Sequence, residues 1–544
     1  MNTKIIVTNK SALVRKHGAA GWAKIAKAVK ALAAADAKRG FSTQLVLIDD
    51  AKQMKELGGA RVTKAKDPRQ AKKAIDAACR ALAPAYVVLL GAGDVIPHQA
   101  LDNPLWTGDP EDDPDEKVDS DLPYACDAPY STEIRRLLGP CRVIGRLPDL
   151  PGSKKPDHLL ALLAVATKWT SRPASDYRDC FALTAREWTK STAMSVKRTF
   201  APGQTILDSP TRGPKWKTET KARAHFVNCH GDMVEREFCG QEGEDYPVAH
   251  DPSLLPGRIM AGTIATAECC YGAQLHDPGG DASARICHVY MREGSYGFFG
   301  ATTVAYGPAS GNGSADLVCQ YFHQAILAGA SLGRATLEAR QRFIKKVAPM
   351  DPTDLKTLAQ FILLGDPSVH PVKAAAAPKP KGTSLAKARM VAKAPAAASA
   401  ARDVRRGKLA VSGAVLRASK CAVGSSPTRS TSALPKAMSV ELNRSKLGHG
   451  KTLVYEIERP APVSASERSV ATMSKAFVSA AKAPDEVAAS YHVVFVRKAG
   501  SRIPKSAKGR RSAEGRSRRR ASRTVLVVLE EAGKFTGIWR LDQH

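Results

Sequence analysis

Two adjacent cysteines and one histidine, each placed directly after a short apolar run, are the residues of this sequence that could do chemistry together. The segment TIATAECCYGAQ (263–274) has an apolar run, rich in Ala and Thr, that leads into Cys269 and Cys270. The earlier segment AHFVNCHGD (224–232) is a second apolar run, which leads into His230. A thiol and an imidazole at the ends of two strands are the parts of a Cys–His nucleophilic site.

The turns after both runs contain the small residues that acyl transfer requires. A free thiol, with a pKa of about 8.5, is only partly ionised at neutral pH, and a neighbouring imidazole raises its thiolate fraction. Gly231 follows His230 directly, and Gly272 lies two positions after Cys270. Backbone N–H groups of such tight turns can form an oxyanion hole. At the C-terminal edge of a parallel sheet, the two turns can converge on one site.

The elements that must position these turns alternate between strands and helices. Apolar runs predict strands at 4–8, 44–48 and 86–90, and the helical spacing of apolar residues predicts helices at 22–32 and 69–82. This alternation predicts an α/β fold with a mostly parallel sheet flanked by helices. The pattern continues with predicted strands at 141–144, 296–304 and 361–367 and helices at 159–169 and 317–326.

The segment 102–120 is acidic and rich in proline, and we predict a surface loop there. Its part 109–117 is expected to be solvated. It could attract basic substrates, or it could shield the site by binding the basic tail of the protein itself.

The positive charge of the chain is concentrated near its C-terminus. The formal net charge of the 544 residues is +30, and residues 371–544 contain 35 Lys and Arg but only 11 Asp and Glu. Residues 371–436 are dominated by Ala, Lys, Pro, Ser and Arg, which predicts a low-complexity linker that cannot bury enough apolar surface to fold. We therefore predict a domain at 1–370, this linker, and a small basic module at 437–544.

The C-terminal module is predicted to contain β-structure and a basic arm. Candidate strands lie at 452–457, 491–496 and 524–529, and the Arg-rich insertion 498–523 between the last two is expected to be disordered. This arm could contact nucleic acid or another anionic surface without sequence specificity. No recognisable DNA- or RNA-binding motif accompanies it.

The cysteine content and the N-terminus bear on the location of the protein. Eleven cysteines without regular spacing favour reduced thiols over a disulfide framework. The first 18 residues lack the apolar core of a secretory signal, and no stretch approaches the roughly 18 apolar residues of a membrane span. We expect a cytoplasmic protein without a transmembrane segment, and export by another route stays open. Nothing in the sequence indicates the oligomeric state.

The order of the two turns resembles the caspase-fold cysteine peptidases, a group that includes caspases, legumains, separases and gingipains. In these families a strand followed by His-Gly precedes a strand followed by Cys-x-Gly. Five further segments are similar to those of the gingipain branch, and they occur in the same order. They are YVVLLGAGDVIP (86–97), SDLPYACD (120–127), VIGRLP (143–148), SYGFFGAT (295–302) and FILLGDPSV (361–369).

This resemblance implies a caspase-like fold for residues 1–370 and a cysteine endopeptidase that needs no metal or organic cofactor. His230 would be the general base or the imidazolium partner, and Cys270 the nucleophile that forms a thioester with a protein or peptide substrate. The backbone amides of Gly231 and Cys270 would form the oxyanion hole. The specificity pocket of the family has no matching motif here, so the preferred residue before the scissile bond is left open.

The sequence departs from the family at Cys269, where the family has a small residue such as Ala or Ser. Two thiols therefore compete for the role of nucleophile. We favour Cys270, because it alone has the Cys-x-Gly spacing. The known gingipains are secreted, so the location of the family does not carry over to a chain without a recognisable signal.

Other interpretations use the same residues. The caspase-like core could be catalytically silent, and the protein would then be a scaffold whose basic tail binds nucleic acid or anionic partners. Asp121 and Asp232 could order the site or a basic substrate, or they could cap turns. A zinc site lacks the usual Cys-x₂₋₄-Cys spacing. Its candidate ligands are Cys229, His230, Cys239, Cys269 and Cys270.

Overall fold

The computed structural model describes residues 2–110, 112–209, 219–243, 245–275 and 285–373, together with four C-terminal strands. The strands of the first part are β1 (Asn2–Thr8), β2 (Phe41–Leu47), β3 (Tyr86–Leu90), β4 (Gln99–Asp102), β5 (Lys117–Ser120), β6 (Ile144–Leu147), β7 (Cys180–Ala185), β8 (Ile206–Ser209), β9 (Ala224–Asn228), β10 (Phe238–Cys239), β11 (Val248–His250), β12 (Ile264–Ala267), β13 (Gly297–Ala301), β14 (Tyr306–Gly307) and β15 (Phe361–Gly365). The helices are α1 (Lys10–Lys38), α2 (Ala51–Glu56), α3 (Pro68–Leu82), α4 (Asp157–Lys168), α5 (Thr189–Thr199), α6 (Ile286–Arg292), α7 (Ser314–Leu327), α8 (Leu332–Val347) and α9 (Pro352–Gln360).

Ten strands form one sheet in the order β2-β1-β3-β6-β15-β13-β12-β9-β7-β8. Neighbouring strands are parallel except for β13 and β15, which are antiparallel. The strands from β2 to β15 therefore run opposite to those from β13 to β8. This arrangement confirms the predicted α/β fold with a mostly parallel sheet flanked by helices.

Two apolar clusters cover the two faces of the sheet. One contains side chains of α1, α3, α4 and α6, and the other contains side chains of α5, α7, α8 and α9. A strand that is covered on both faces is apolar along its whole length, and this is why β3 could be predicted with its observed bounds. Strand β6 starts later than the predicted strand at 141–144.

The prediction of a solvated acidic loop is wrong for its central carboxylates. Segment 102–120 ends in β5, which pairs with β4, and Asp112, Asp113 and Asp115 are buried. The buried ammonium of Lys356 lies 2.6 Å from Asp113 and 3.1 Å from Asp115. This cation is more than two hundred residues away in the sequence, so the local composition gives no sign of it.

Four antiparallel strands occupy the C-terminal region. They are β16 (Thr452–Glu458), β17 (Ala489–Arg497), β18 (Arg523–Glu531) and β19 (Lys534–Gln543), and the first three contain the candidate strands of the sequence. The end of β19 pairs with β14, with Gln543 opposite Tyr306 and Asp542 opposite Gly307. The linker beyond Lys373 and the insertion at 498–522 lie outside the described residues. Within the described part, no helix is long and apolar enough to cross a membrane.

Candidate active site

The two predicted turns lie side by side because β9 and β12 are parallel neighbours. Their last register pair is Val227 with Ala267, and the N–H of Glu268 donates to the Val227 carbonyl at 2.8 Å. His230 and Cys270 both lie three positions beyond this pair. Parallel neighbours are about 4.8 Å apart, so the structure brings the His-Gly turn and the Cys-x-Gly turn into direct contact.

Gly231 packs against the main chain of Cys270. A Cβ atom built on Gly231 would lie 1.7 Å from the Cys270 carbonyl oxygen and 2.8 Å from its carbonyl carbon, so no other residue fits there without a backbone shift. Among the described residues, the N–H groups of Gly231 and Cys270 take part in no hydrogen bond. These are the two amides to which the resemblance assigns the oxyanion hole.

The imidazole of His230 has a defined setting. The His230 main chain exchanges two 2.8 Å hydrogen bonds with Cys239, and the ring packs against Trp188 at 4.3 Å and Tyr246 at 4.9 Å between centroids. Its Nε2 lies 2.8 Å from Oε1 of Gln241. Because this amide oxygen can only accept, Nε2 carries a proton, which leaves Nδ1 as the basic nitrogen of the neutral ring.

The thiol of Cys270 is fully buried, and its contacts are with Ala305. The Ala305 N–H donates to Sγ at 3.3 Å, and Sγ lies 3.6 Å from the Ala305 carbonyl oxygen. Burial raises the pKa of this thiol to about 12, although the Ala305 amide and the Lys356 ammonium act in the opposite direction. In this conformation Cys270 is a protonated thiol that is turned toward Ala305.

Cys269 points to the other face of the sheet. Side chains alternate between the two faces along an extended chain. Cys269 accordingly belongs to the apolar cluster of α1, α3, α4 and α6, whereas Cys270 belongs to that of α5, α7, α8 and α9. Its sulfur lies 3.9 Å from the Val227 carbonyl oxygen, and burial raises its pKa well above the ordinary value. These surroundings are those of a core thiol.

A pair of buried carboxyl groups near Cys270 was not predicted from the sequence. Glu268 lies two positions before Cys270, and it faces Asp316 in the first turn of α7; both are fully buried. Burial and Asp316 raise the pKa of Glu268 well above its ordinary value, and burial raises the pKa of Asp316 to about 7. The raised pKa of Glu268 favours a protonated carboxyl at neutral pH. An isolated acid within the apolar run TIATAECC was the available signal.

We expect Glu268→Gln to change how stability depends on pH. The folded protein keeps a proton on this carboxyl pair that the unfolded chain releases near pH 4. The unfolding free energy of the wild type should therefore fall relative to the variant as the pH rises from about 5 to about 8. The size would be about 1.4 kcal/mol for each unit of the pKa shift.

Denaturant unfolding at both pH values measures this difference. Glu133→Gln is the control, because this carboxylate is about 60% exposed. If Glu268→Gln and the wild type show the same pH dependence, the raised pKa of Glu268 is contradicted.

The other candidate residues have structural partners. Burial alone would raise the pKa of the Asp121 carboxyl. The neighbouring Arg146 and His98 outweigh this effect and hold the pKa well below its ordinary value. Asp232 accepts from the N–H groups of Val234 and Glu235, as a turn residue does. Cys229 and Cys239 are buried thiols. In the described ranges, no group of three or more His, Cys, Asp or Glu could hold a metal ion.

Comparisons with known proteins bear on this site. Residues 258–372, which include Cys270, match the family model of peptidase family C25. This match supports a cysteine peptidase, and thus a hydrolase, of the caspase-like families. A comparison with curated proteins finds no match.

Several solved structures share similarity with the chain, and two of them are described below. One, described as "Structure of Protease", is 12% identical, with a TM-score of 0.46, over 99% of this chain and 97% of its own. The other is the Saccharomyces cerevisiae separase–securin complex, 11% identical over 44% of this chain and 15% of its own, with a TM-score of 0.28. At these values neither structure carries an argument about function.

Proposed function

We propose that the protein is a cysteine endopeptidase of the gingipain type, with His230 and Cys270 as its catalytic dyad. The observation that carries this proposal is the packing of Gly231 on the Cys270 main chain at the ends of two parallel strands. This packing brings a histidine, a cysteine and two backbone amides together at one edge of the sheet. Among the described residues, these two amides have no hydrogen-bond partner. The substrate would be a protein or a peptide.

The reaction follows from these groups. Nδ1 of His230 accepts the thiol proton, and the Cys270 thiolate attacks the carbonyl carbon of the scissile peptide bond. The N–H groups of Gly231 and Cys270 stabilise the negative oxygen that forms. The imidazolium then protonates the leaving amine as the C–N bond breaks and a thioester forms. Water, deprotonated by the imidazole, hydrolyses the thioester and releases the new carboxylate and the thiol.

The conformation with Sγ on Ala305 would be a resting state in this mechanism. A thiol with a pKa of about 12 is not a nucleophile at neutral pH. The side chain must leave Ala305 and turn toward the imidazole before it can ionise. If the thiol never rotates away from Ala305, its buried position instead supports the alternative, a catalytically silent scaffold.

A panel of fluorogenic peptides that vary the residue before the scissile bond decides between the two. A peptidase releases the fluorophore from at least one class of peptide, and iodoacetamide pretreatment stops the release. A silent scaffold releases none, and its Cys270 reacts with iodoacetamide as slowly as the core thiols do.

The pairing of β19 with β14 predicts that the C-terminus restrains this activity. β14 begins directly after Ala305, so the last residues of the chain occupy a sheet edge beside the nucleophile, where an extended peptide could pair instead. A chain that ends at Leu541 should show a lower KM and a higher kcat/KM than the full chain. A chain that lacks only His544 is the control, and equal KM values for all three would count against this restraint.

A further inference from the structure

The acidic segment before β5 and the helix α9 form a buried ionic cluster close to the nucleophile. Lys356 is fully buried, and its ammonium contacts the carboxylates of Asp113 and Asp115 at 2.6 and 3.1 Å. Asp113 also accepts from the hydroxyl of Tyr306 at 3.1 Å. Buried charges of this kind persist only when they are paired and hydrogen-bonded. The cluster therefore fixes the position of Asp115.

Asp115 holds the chain on both sides of the Cys270 sulfur. One of its oxygens accepts from the hydroxyl of Tyr271, the residue directly after the nucleophile, at 2.9 Å. Its other oxygen accepts from the N–H of Val304 at 2.8 Å. Val304 precedes Ala305, whose N–H donates to the sulfur at 3.3 Å. The Asp115 carboxylate thus links the segment of Cys270 and Tyr271 to the segment of Val304 and Ala305, which the thiol contacts.

The backbone of Tyr271 has a conformation that this residue type does not prefer, so the surrounding structure must enforce it. Tyr271 has a φ of 56°, in the left-handed region that an aromatic residue rarely adopts. Such a conformation persists only where the surroundings enforce it. The Tyr271 N–H donates to the Thr303 carbonyl at 3.1 Å, and the hydroxyl is held by Asp115. Both ends of the residue are therefore tied down.

We propose that Asp115, supported by Lys356 and Asp113, is a positioning residue for the nucleophile. It sets the main chain of Cys270 and Tyr271, and it sets the Ala305 amide that meets the sulfur. This proposal rests on the proposed role of Cys270. It gives the acidic segment a function inside the protein, in place of the attraction of basic substrates.

The test compares Asp115→Ala and Tyr271→Phe with the wild type in the full chain. A shift of the reacting atoms by about 1 Å can cost about 100-fold in rate, so kcat should fall by about that factor in Asp115→Ala, with KM nearly unchanged. Tyr271→Phe keeps the strained backbone and loses only the hydroxyl, and its kcat should fall less. In both variants the pH dependence of iodoacetamide alkylation at Cys270, followed by mass spectrometry, should shift.

Asp36→Ala is the matched control. Asp36 is, like Asp115, a buried aspartate, and it is paired with a buried lysine, Lys4, at 2.8 Å. This variant should lose stability as Asp115→Ala does, but it should keep kcat and the alkylation profile. If Asp115→Ala does not fold, Tyr271→Phe decides alone.

Unchanged kcat and an unchanged alkylation profile in the folded variants would overturn the proposal. If the wild type hydrolyses no peptide, the alkylation profile still decides. A shift of the alkylation profile in Asp115→Ala, with none in Asp36→Ala, then supports the positioning role. The absence of hydrolysis by the wild type rejects the peptidase activity.

Discussion

Cys270→Ala should abolish peptide hydrolysis, with kcat/KM reduced by about 10⁴-fold or more, as expected when a covalent nucleophile is removed. Cys269→Ala should retain most of the activity. The two thiols are adjacent in sequence but point to opposite faces of the sheet, and it is the main chain of Cys270 that Gly231, the residue after His230, contacts. Steady-state kinetics on both variants measure the difference.

The thermal stability of the two variants provides the control. Both thiols are fully buried, so each replacement by alanine should cost a similar, small amount of stability. Retained hydrolysis in Cys270→Ala, together with its loss in Cys269→Ala, would show that the nucleophile is the other thiol. Full activity in both variants would reject thiol catalysis.

Gly231→Ala should reduce kcat by at least about 100-fold, which is the cost of losing an oxyanion-hole donor. The added methyl group would lie 1.7 Å from the Cys270 carbonyl oxygen, and this partner is backbone that cannot rotate away. The turn must therefore separate from Cys270, and the two amides and the imidazole move with it. We also expect a lower melting temperature, because the added methyl group forces a backbone shift against Cys270.

Gly139→Ala is the matched control for this substitution. A Cβ built on Gly139 has no neighbour within 4 Å, so this variant should keep both activity and stability. If Gly231→Ala retains the kcat of the wild type, the contact between the two turns does not matter for the reaction, and the proposed oxyanion hole is wrong.

The elements that carry the site could be predicted from the sequence because their signals are local. Strand β3 is a continuous apolar run, and the turns after β9 and β12 contain His-Gly and Cys-x-Gly in the order of a familiar fold. Strands β7 and β8, at the far edge of the sheet, were not predicted. Their short runs lack a marked period, and only their pairing with β9 makes them strands.

The interactions that set the site's electrostatics could not be predicted, since they join distant parts of the chain. Asp115 and Lys356 are far apart in sequence, and Glu268 meets Asp316 only after α7 has packed on the sheet. An acidic, proline-rich segment is ordinarily solvated. Its burial here depends on a cation that its own composition does not reveal.

The most direct test of the dyad is the site of reaction with a peptide that carries an electrophilic ketone at its scissile position. After digestion of the labelled protein, mass spectrometry should find the adduct on Cys270, and an excess of a hydrolysable peptide should prevent it. His230→Ala should form the adduct much more slowly. An adduct on Cys269 would contradict the proposed active site. So would an adduct on the exposed Cys141 that forms at the same rate in the wild type and in His230→Ala.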